Sequence, residues 1–153
     1  MDNLESKIDW CAGFFDGEGS ITHNGKGFRI TIPQTNLEVI KKIQQFTKYG
    51  NVLSISKRKS HWKDSWIYYI ARQKDILFFL KRIFPHLVVK KSYTKQVIKT
   101  LNIVVARQER HASAIKNRKI NARGLRKRGL SYRAIGKRLN IDWGYARRII
   151  LNK

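Results

Sequence analysis

The chain of 153 residues carries 33 Lys+Arg against 10 Asp+Glu, a net charge of +23, with 42% apolar and 11% aromatic residues. That apolar share excludes a disordered basic tail, and a charge of that size is costly for a compact fold unless a polyanion, most commonly nucleic acid, neutralises it. A single cysteine, Cys11, excludes an internal disulfide framework, and with no long apolar run, no signal-peptide order in MDNLESKIDW and no isolated amphipathic anchor the expectation is an intracellular protein with no membrane partner.

The first element is the stretch WCAGFFDGEGS, residues 10–20. It reads as an apolar helix with small residues at Ala12, Gly13 and Gly17, ending in Glu18 between two glycines. Each helical glycine costs roughly 1 kcal/mol relative to alanine, so two in one short helix point to a need for space. Gly13 and Gly17, four apart, share a face where another helix could approach to near backbone contact.

Alternation follows. A strand at 20–23, the turn Asn24-Gly25-Lys26-Gly27 and a strand at 28–34 form a hairpin, since asparagine and glycine tolerate positive φ. Phe28, Ile30 and Ile32 alternate with Arg29 and Thr31, one face buried and one wet. Asn36 caps a helix to about residue 48, with Leu37, Ile40 and Ile43 inward and Gly50 stopping it. Strands at 51–57 and 66–71 follow, joined by a basic loop, then a helix at 74–84 closed by Pro85 and a last one at 91–106. The order αββαββαα implies an α+β domain with one four-stranded antiparallel sheet over residues 1–105.

The remainder differs in charge. Residues 106–153 hold 15 Lys+Arg and 2 Asp+Glu, whereas the first 105 hold 18 and 8. Apolar spacing weakens over 106–123, which reads as a basic linker or a polar helix, and returns in 124–153. There a turn at Gly129-Leu130-Ser131, a short helix around Ala134, Ile135 and Leu139, the step Asn140-Ile141-Asp142 and a helix from Trp143 make a helix-turn-helix signature, with Gly136 where the helices cross. A generic helical hairpin is the alternative.

The nine residues Cys11–Gly19, CAGFFDGEG, resemble the motif of the LAGLIDADG homing endonucleases. The departures are Cys for the first Leu, Phe-Phe for Leu-Ile, Gly for the second Ala and Glu for the last Asp. Each keeps the apolar, small or acidic character of its position. The element order is also that family's, so the resemblance extends over roughly residues 4–105.

Only one motif is present, which in this family implies a homodimer whose motif helices pack at the twofold axis, here through Ala12, Gly13 and Gly17. That contact would bring two Glu18 carboxylates together, hard ligands suited to Mg²⁺ or Mn²⁺ in phosphodiester hydrolysis. The resemblance further implies the Gly17 carbonyl as a metal ligand, Gln34 ordering water near the metals, and Lys90, shortly after Pro85, beside the scissile phosphate. The family's additional basic residue on the second helix has no clear match, that position lying near Glu38.

The expected partner is double-stranded DNA. In the first domain the outward side chains Arg29 and Thr31 would enter the major groove, with Lys57, Arg58 and Lys59 on phosphates and Tyr69 facing the groove. In the second, Trp143, Tyr145 and Arg148 with Arg147 nearby would read bases, while Arg133 and Lys137 bind phosphates; Trp143 could instead pack on Ile141. Four histidines without metal-ligand spacing argue against zinc, and Cys11 reads as a core or interface residue. The reading is a metal-dependent, sequence-specific DNA endonuclease. Two rivals share its fold and charge: a transcription regulator on an inactive core, and an intron maturase with RNA as partner.

Overall fold

The computed structural model describes residues 4–57 and 59–152, so Arg58, one of the expected phosphate contacts, lies outside the described residues. Two compact units divide the chain, Met1–Val105 and Ala106–Lys153.

The first unit runs α1 (Leu4–Glu18), β1 (Ser20–His23), β2 (Phe28–Gln34), α2 (Leu37–Thr47), β3 (Asn51–Ile55), β4 (Ser65–Ile70), α3 (Gln73–Ile83), a 3-10 turn (Phe84–His86) and the opening of α4 (Lys91–Lys127). Its four strands form one antiparallel sheet in the order β1-β2-β4-β3. The first hairpin closes as expected. Gly25 takes φ +79, and the Asn24 side chain accepts from the amides of Lys26 and Gly27 at 3.2 and 3.1 Å.

Register decides which side chains go inside. Ile21 pairs with Ile30, Ile30 with Ile70, and Tyr68 lies between Ile32 and Val52. That face meets Cys11 and Phe15 of α1, Ile40 and Ile43 of α2, and Ile76, Phe79 and Leu80 of α3 in one core. Each such aliphatic side chain contributes roughly 1.5–3 kcal/mol by leaving water. The Tyr68 hydroxyl, deep in this core, is satisfied: it lies 2.8 Å from Thr47 Oγ1 and donates to the Tyr49 carbonyl at 2.8 Å. Burial pushes its ionisation up, so it stays neutral.

Several boundaries depart from the expectation. Strand pairing ends at Ile55↔Ser65, so residues 56 and 57 belong to the loop. Helix α2 is closed by Lys48 in the left-handed region (φ 62), its amide bonded to the Gln44 carbonyl at 2.8 Å. Gly50 serves another purpose, since a Cβ there would lie 2.7 Å from the Tyr68 ring. The largest difference is α4, one helix of 37 residues through the stretch expected to be linker or polar helix. No proline or glycine interrupts 91–123, and the fading periodicity reflects a helix without a packing face: residues 106–118 are all exposed.

The second unit comprises the later part of α4, α5 (Tyr132–Leu139) and α6 (Trp143–Leu151). Ser131 caps α5 through the Ala134 amide at 3.2 Å, and Asp142 caps α6 through the Tyr145 amide at 3.0 Å. Its core is small: Ala122, Leu125, Ile135 and Ala146, flanked by Leu130, Leu139, Ile141, Ile149 and Ile150. At Gly136 a Cβ would sit 2.8 Å from the Ile141 carbonyl, so the hairpin closes only over glycine. Among the described residues no helix is long and apolar enough to cross a membrane.

Candidate active site and nucleic-acid interface

Helix α1 has two unlike faces. Cys11, Ala12 and Phe15 are fully buried in the core, whereas Trp10, Gly13 and Gly17 are exposed. A Cβ at Gly13 or Gly17 would meet nothing within 4 Å, so the chain's own fold does not use the space these glycines leave. Ala12 corrects the expectation. It lies one residue, about 100° of helix, from Gly13 and packs into its own core, so it cannot belong to a helix–helix contact between chains.

Glu18 is the last residue of α1 and is exposed. A carboxylate there opposes the helix macrodipole, and among the described residues it has no hydrogen-bond or ion-pair partner to offset that cost. Two residues earlier, Asp16 is held on all sides. Its Oδ2 accepts from the amides of Val88 and Val89 at 2.6 and 3.1 Å, and its Oδ1 from the amide of Lys90 at 2.9 Å. Burial pushes the Asp16 carboxyl up, but the amides of Val88, Lys90 and Val89 and the Lys90 ammonium outweigh it and hold it below the usual carboxylate range. Lys90 Nζ donates to the Asp16 carbonyl, in the helix turn whose carbonyls lack intrahelical donors. The sequence reads Asp16 as a structural residue of the motif before a second metal ligand, but it could not name the partners, which lie 72–74 residues away.

Gln34 reaches the same end of the unit through the sheet. Strand β1 starts directly after α1, and its first pair is Ser20↔Thr31. Strand β2 runs antiparallel past that pair to Gln34, back toward the end of α1. The Gln34 Oε1 accepts from the Thr35 amide at 2.8 Å. The fold thus brings Glu18, Gln34 and Lys90 to one end of the sheet, although they are far apart in sequence.

Among the described residues no group of three or more His, Cys, Asp or Glu could hold a metal. At this end of the unit, among the described residues, one chain offers the unpaired carboxylate of Glu18 and the carbonyl of Gly17 in the last turn of α1. Both are hard oxygen donors fit for Mg²⁺ or Mn²⁺, and both fall short of a complete coordination sphere. Cys11 is no nucleophile: burial pushes its thiol up to about 12 against the lowering by Arg82.

The outward face of the sheet carries the expected readers. Arg29 is exposed, with its guanidinium carbon 5.7 Å from the centre of the half-buried Tyr69 ring. Thr31 Oγ1 lies 2.7 Å from Ser20 Oγ, across the first strand pair. Lys57 is paired with Asp64 at 2.9 Å, whereas Lys59 is exposed. The sequence left the register of β3 and β4 open, and so missed that Leu53, Ile55 and Ile67 share this face.

In the second unit Trp143 is 52% exposed at the start of α6, with Arg147 and Arg148 exposed and Tyr145 half-buried. The Arg148 guanidinium lies 5.9 Å from the Tyr145 ring centre. Arg133 and Lys137 are exposed on α5.

Comparison with known proteins follows the same lines. The family model of the LAGLIDADG-like domain matches residues 7–83. No curated protein matches the chain. Among solved structures, the archaeal intron-encoded homing endonuclease I-Vdi141I, complexed with DNA, is 17% identical with a TM-score of 0.53, covering 97% of this chain and 96% of that one. The homing endonuclease I-CvuI, solved with a DNA target in the presence of Mg, is 19% identical with a TM-score of 0.51, covering 67% and 69%. A second I-CvuI structure, with its target in the presence of Ca, is 20% identical with a TM-score of 0.51, covering 65% and 68%. At these identities the likeness establishes a shared α+β fold.

Proposed function

The chain belongs to the LAGLIDADG-like domain family, and from that premise we propose that it is a sequence-specific, metal-dependent endonuclease of double-stranded DNA, acting as a homodimer. The observation that carries this reading is the end of α1. A free acid, Glu18, follows a helix face whose two glycines stand open in the monomer. Two such helices crossing at Gly13 and Gly17 would join two Glu18 carboxylates and two Gly17 carbonyls, supplying together the ligands one chain lacks. A divalent ion bound there would activate water and stabilise the leaving oxygen.

The chain's own residues do the rest. Lys90, held against α1 by the Asp16 clamp, presents a positive charge to a phosphate at that end of the sheet. Gln34 holds water there through the amide not engaged by Thr35. Arg29, Thr31 and Tyr69 read the major groove, and Lys57 and Lys59 hold phosphates. The second unit acts as a helix-turn-helix over 124–153. Trp143, Tyr145, Arg147 and Arg148 lie at bases, with Arg133 and Lys137 on the backbone. Residues 106–123 connect the two DNA-binding parts. The site is long and roughly palindromic, because a twofold dimer repeats its contacts.

The test is cleavage of a randomised duplex library with and without Mg²⁺, followed by sequencing of the cut ends. Wild-type protein is expected to cut both strands only with metal. Glu18→Gln is expected to bind the same duplexes without cutting, and cleavage by that variant would remove Glu18 from the metal site. Binding without metal-dependent nicking would assign the chain to a transcription regulator instead. Stimulated splicing of an intron RNA with no DNA cleavage would assign it to a maturase.

A further inference from the structure

The outward face of the sheet is not uniform. Pairing through the register gives successive cross-strand rows. The first holds Thr22 and Arg29; the next holds Ser20, Thr31, Tyr69 and Asn51. Both are polar. Beyond them Pro33, Ile67 and Leu53 form one aliphatic row across β2, β4 and β3, and Ile55 follows beside Ser65. Leu53 is 54% and Ile55 39% exposed, on the edge strand β3. The aliphatic row lies at the Gln34 end of the sheet, past the Ser20↔Thr31 pair on the side where α1 leads into β1.

A contiguous aliphatic row on a face otherwise built of Arg, Thr, Tyr and Asn calls for a partner that is polar along most of its length and apolar at one place. The positive charge of the chain, with Arg29 on the same face and Lys57 and Lys59 just past β3, selects a polyanion. The major groove of duplex DNA presents only one apolar group, the C5-methyl of thymine. We propose that Leu53, Ile55 and Ile67 are specificity-determining residues that read thymine methyl groups in the part of each half-site nearest the cut. The inference rests on the reading of the sheet as the DNA-binding face. It adds which base the aliphatic row selects.

Replacing thymine by deoxyuridine removes the methyl and leaves every hydrogen-bonding group in place. Duplexes are first selected from a random library by the intact protein without divalent cation, then resynthesised with deoxyuridine at each thymine in turn. Substitution near the centre of the site is expected to weaken binding about fourfold per contacted methyl, the loss from one buried methyl group. Leu53→Ala and Ile55→Ala, both at exposed positions, are each expected to abolish the thymine–deoxyuridine difference at the thymine that side chain contacts and to keep it at the others. Arg29→Gln is expected to weaken both to the same degree and keep the difference between them.

Equal affinity of the wild-type protein for thymine and deoxyuridine duplexes overturns the proposal. So does discrimination that survives undiminished at every thymine in both alanine variants. Loss of dimer in Leu53→Ala with unchanged discrimination would make the row a protein interface and overturn it as well. If the library yields no selected duplex at all, the DNA-binding reading itself fails, a result distinct from selection without methyl dependence.

Discussion

The two units differ in how much packing supports how much charge. Among the described residues the first has a core of eighteen buried side chains beneath its sheet, and the second a core of four. Yet residues 106–153 carry net +13 in 48 residues, against +10 in the first 105. Positioning a carboxylate, a lysine and a glutamine at one end of a sheet needs a rigid framework, because chemistry is lost when groups shift by about 1 Å. Holding a phosphate backbone, the role proposed for Arg133 and Lys137, would need little more than charge on a surface, which a small helical unit can carry.

Gly13→Leu fills a face the monomer does not use, so its melting temperature is expected to stay near wild type while dimer and cleavage are lost together. Sedimentation with a cleavage assay decides it, and a cutting dimer would remove Gly13 from the interface. Next is Gly136→Val, which pushes a side chain into the Ile141 carbonyl. It is expected to cost about 1–3 kcal/mol, a large share for so small a core, with hydrogen exchange rising in α5 and α6 but not in the sheet.

Asp16→Asn is expected to cost about 1–2 kcal/mol, because it weakens three amide contacts at a partly exposed site where solvent already screens the charge. Its pH dependence has a definite sign. The folded carboxyl lies below the unfolded value of about 4, so the contribution is complete above that pH and fades as pH falls through the lowered value. Denaturant melts of wild type and variant should converge in that acidic window; a constant gap would separate the clamp from ionisation. The smallest effect is at Arg133→Gln, expected to lower the salt slope of DNA binding by roughly 1, the loss of one phosphate contact. A changed sequence preference at constant slope would place it on a base.

Most of the first unit was legible because its signals are local. The NGKG turn, the alternation of Phe28–Ile32 and the Asn36 cap each act within a few residues, and the structure retains them. The end of α2 falls where the sequence puts it, but its stop was misread as Gly50, because a lysine, Lys48, adopts the left-handed cap that glycine usually takes. Ala12 was misassigned because a small residue suits a dimer seam and a packed core equally, and only the phase of α1 against the sheet separates them. The length of α4 escaped because periodicity detects packing faces, and residues 106–118 have none. The Asp16 clamp joins residues more than seventy positions apart, beyond any local pattern.

Helix α1 can also be read in angles. Gly13, Asp16 and Gly17 stand at fixed rotations about one axis, and each residue adds about 100°. One inserted residue between Gly13 and Asp16 would leave the composition of the motif intact. It would turn Gly13 away from Gly17, and from the amides at Val88–Lys90, by more than a quarter of a revolution. The side chains at several motif positions can change while their character is kept, as Cys11 and the Phe14-Phe15 pair illustrate. Its residue count cannot, because the helix works as a phase gauge between the Asp16 clamp and the open glycine face.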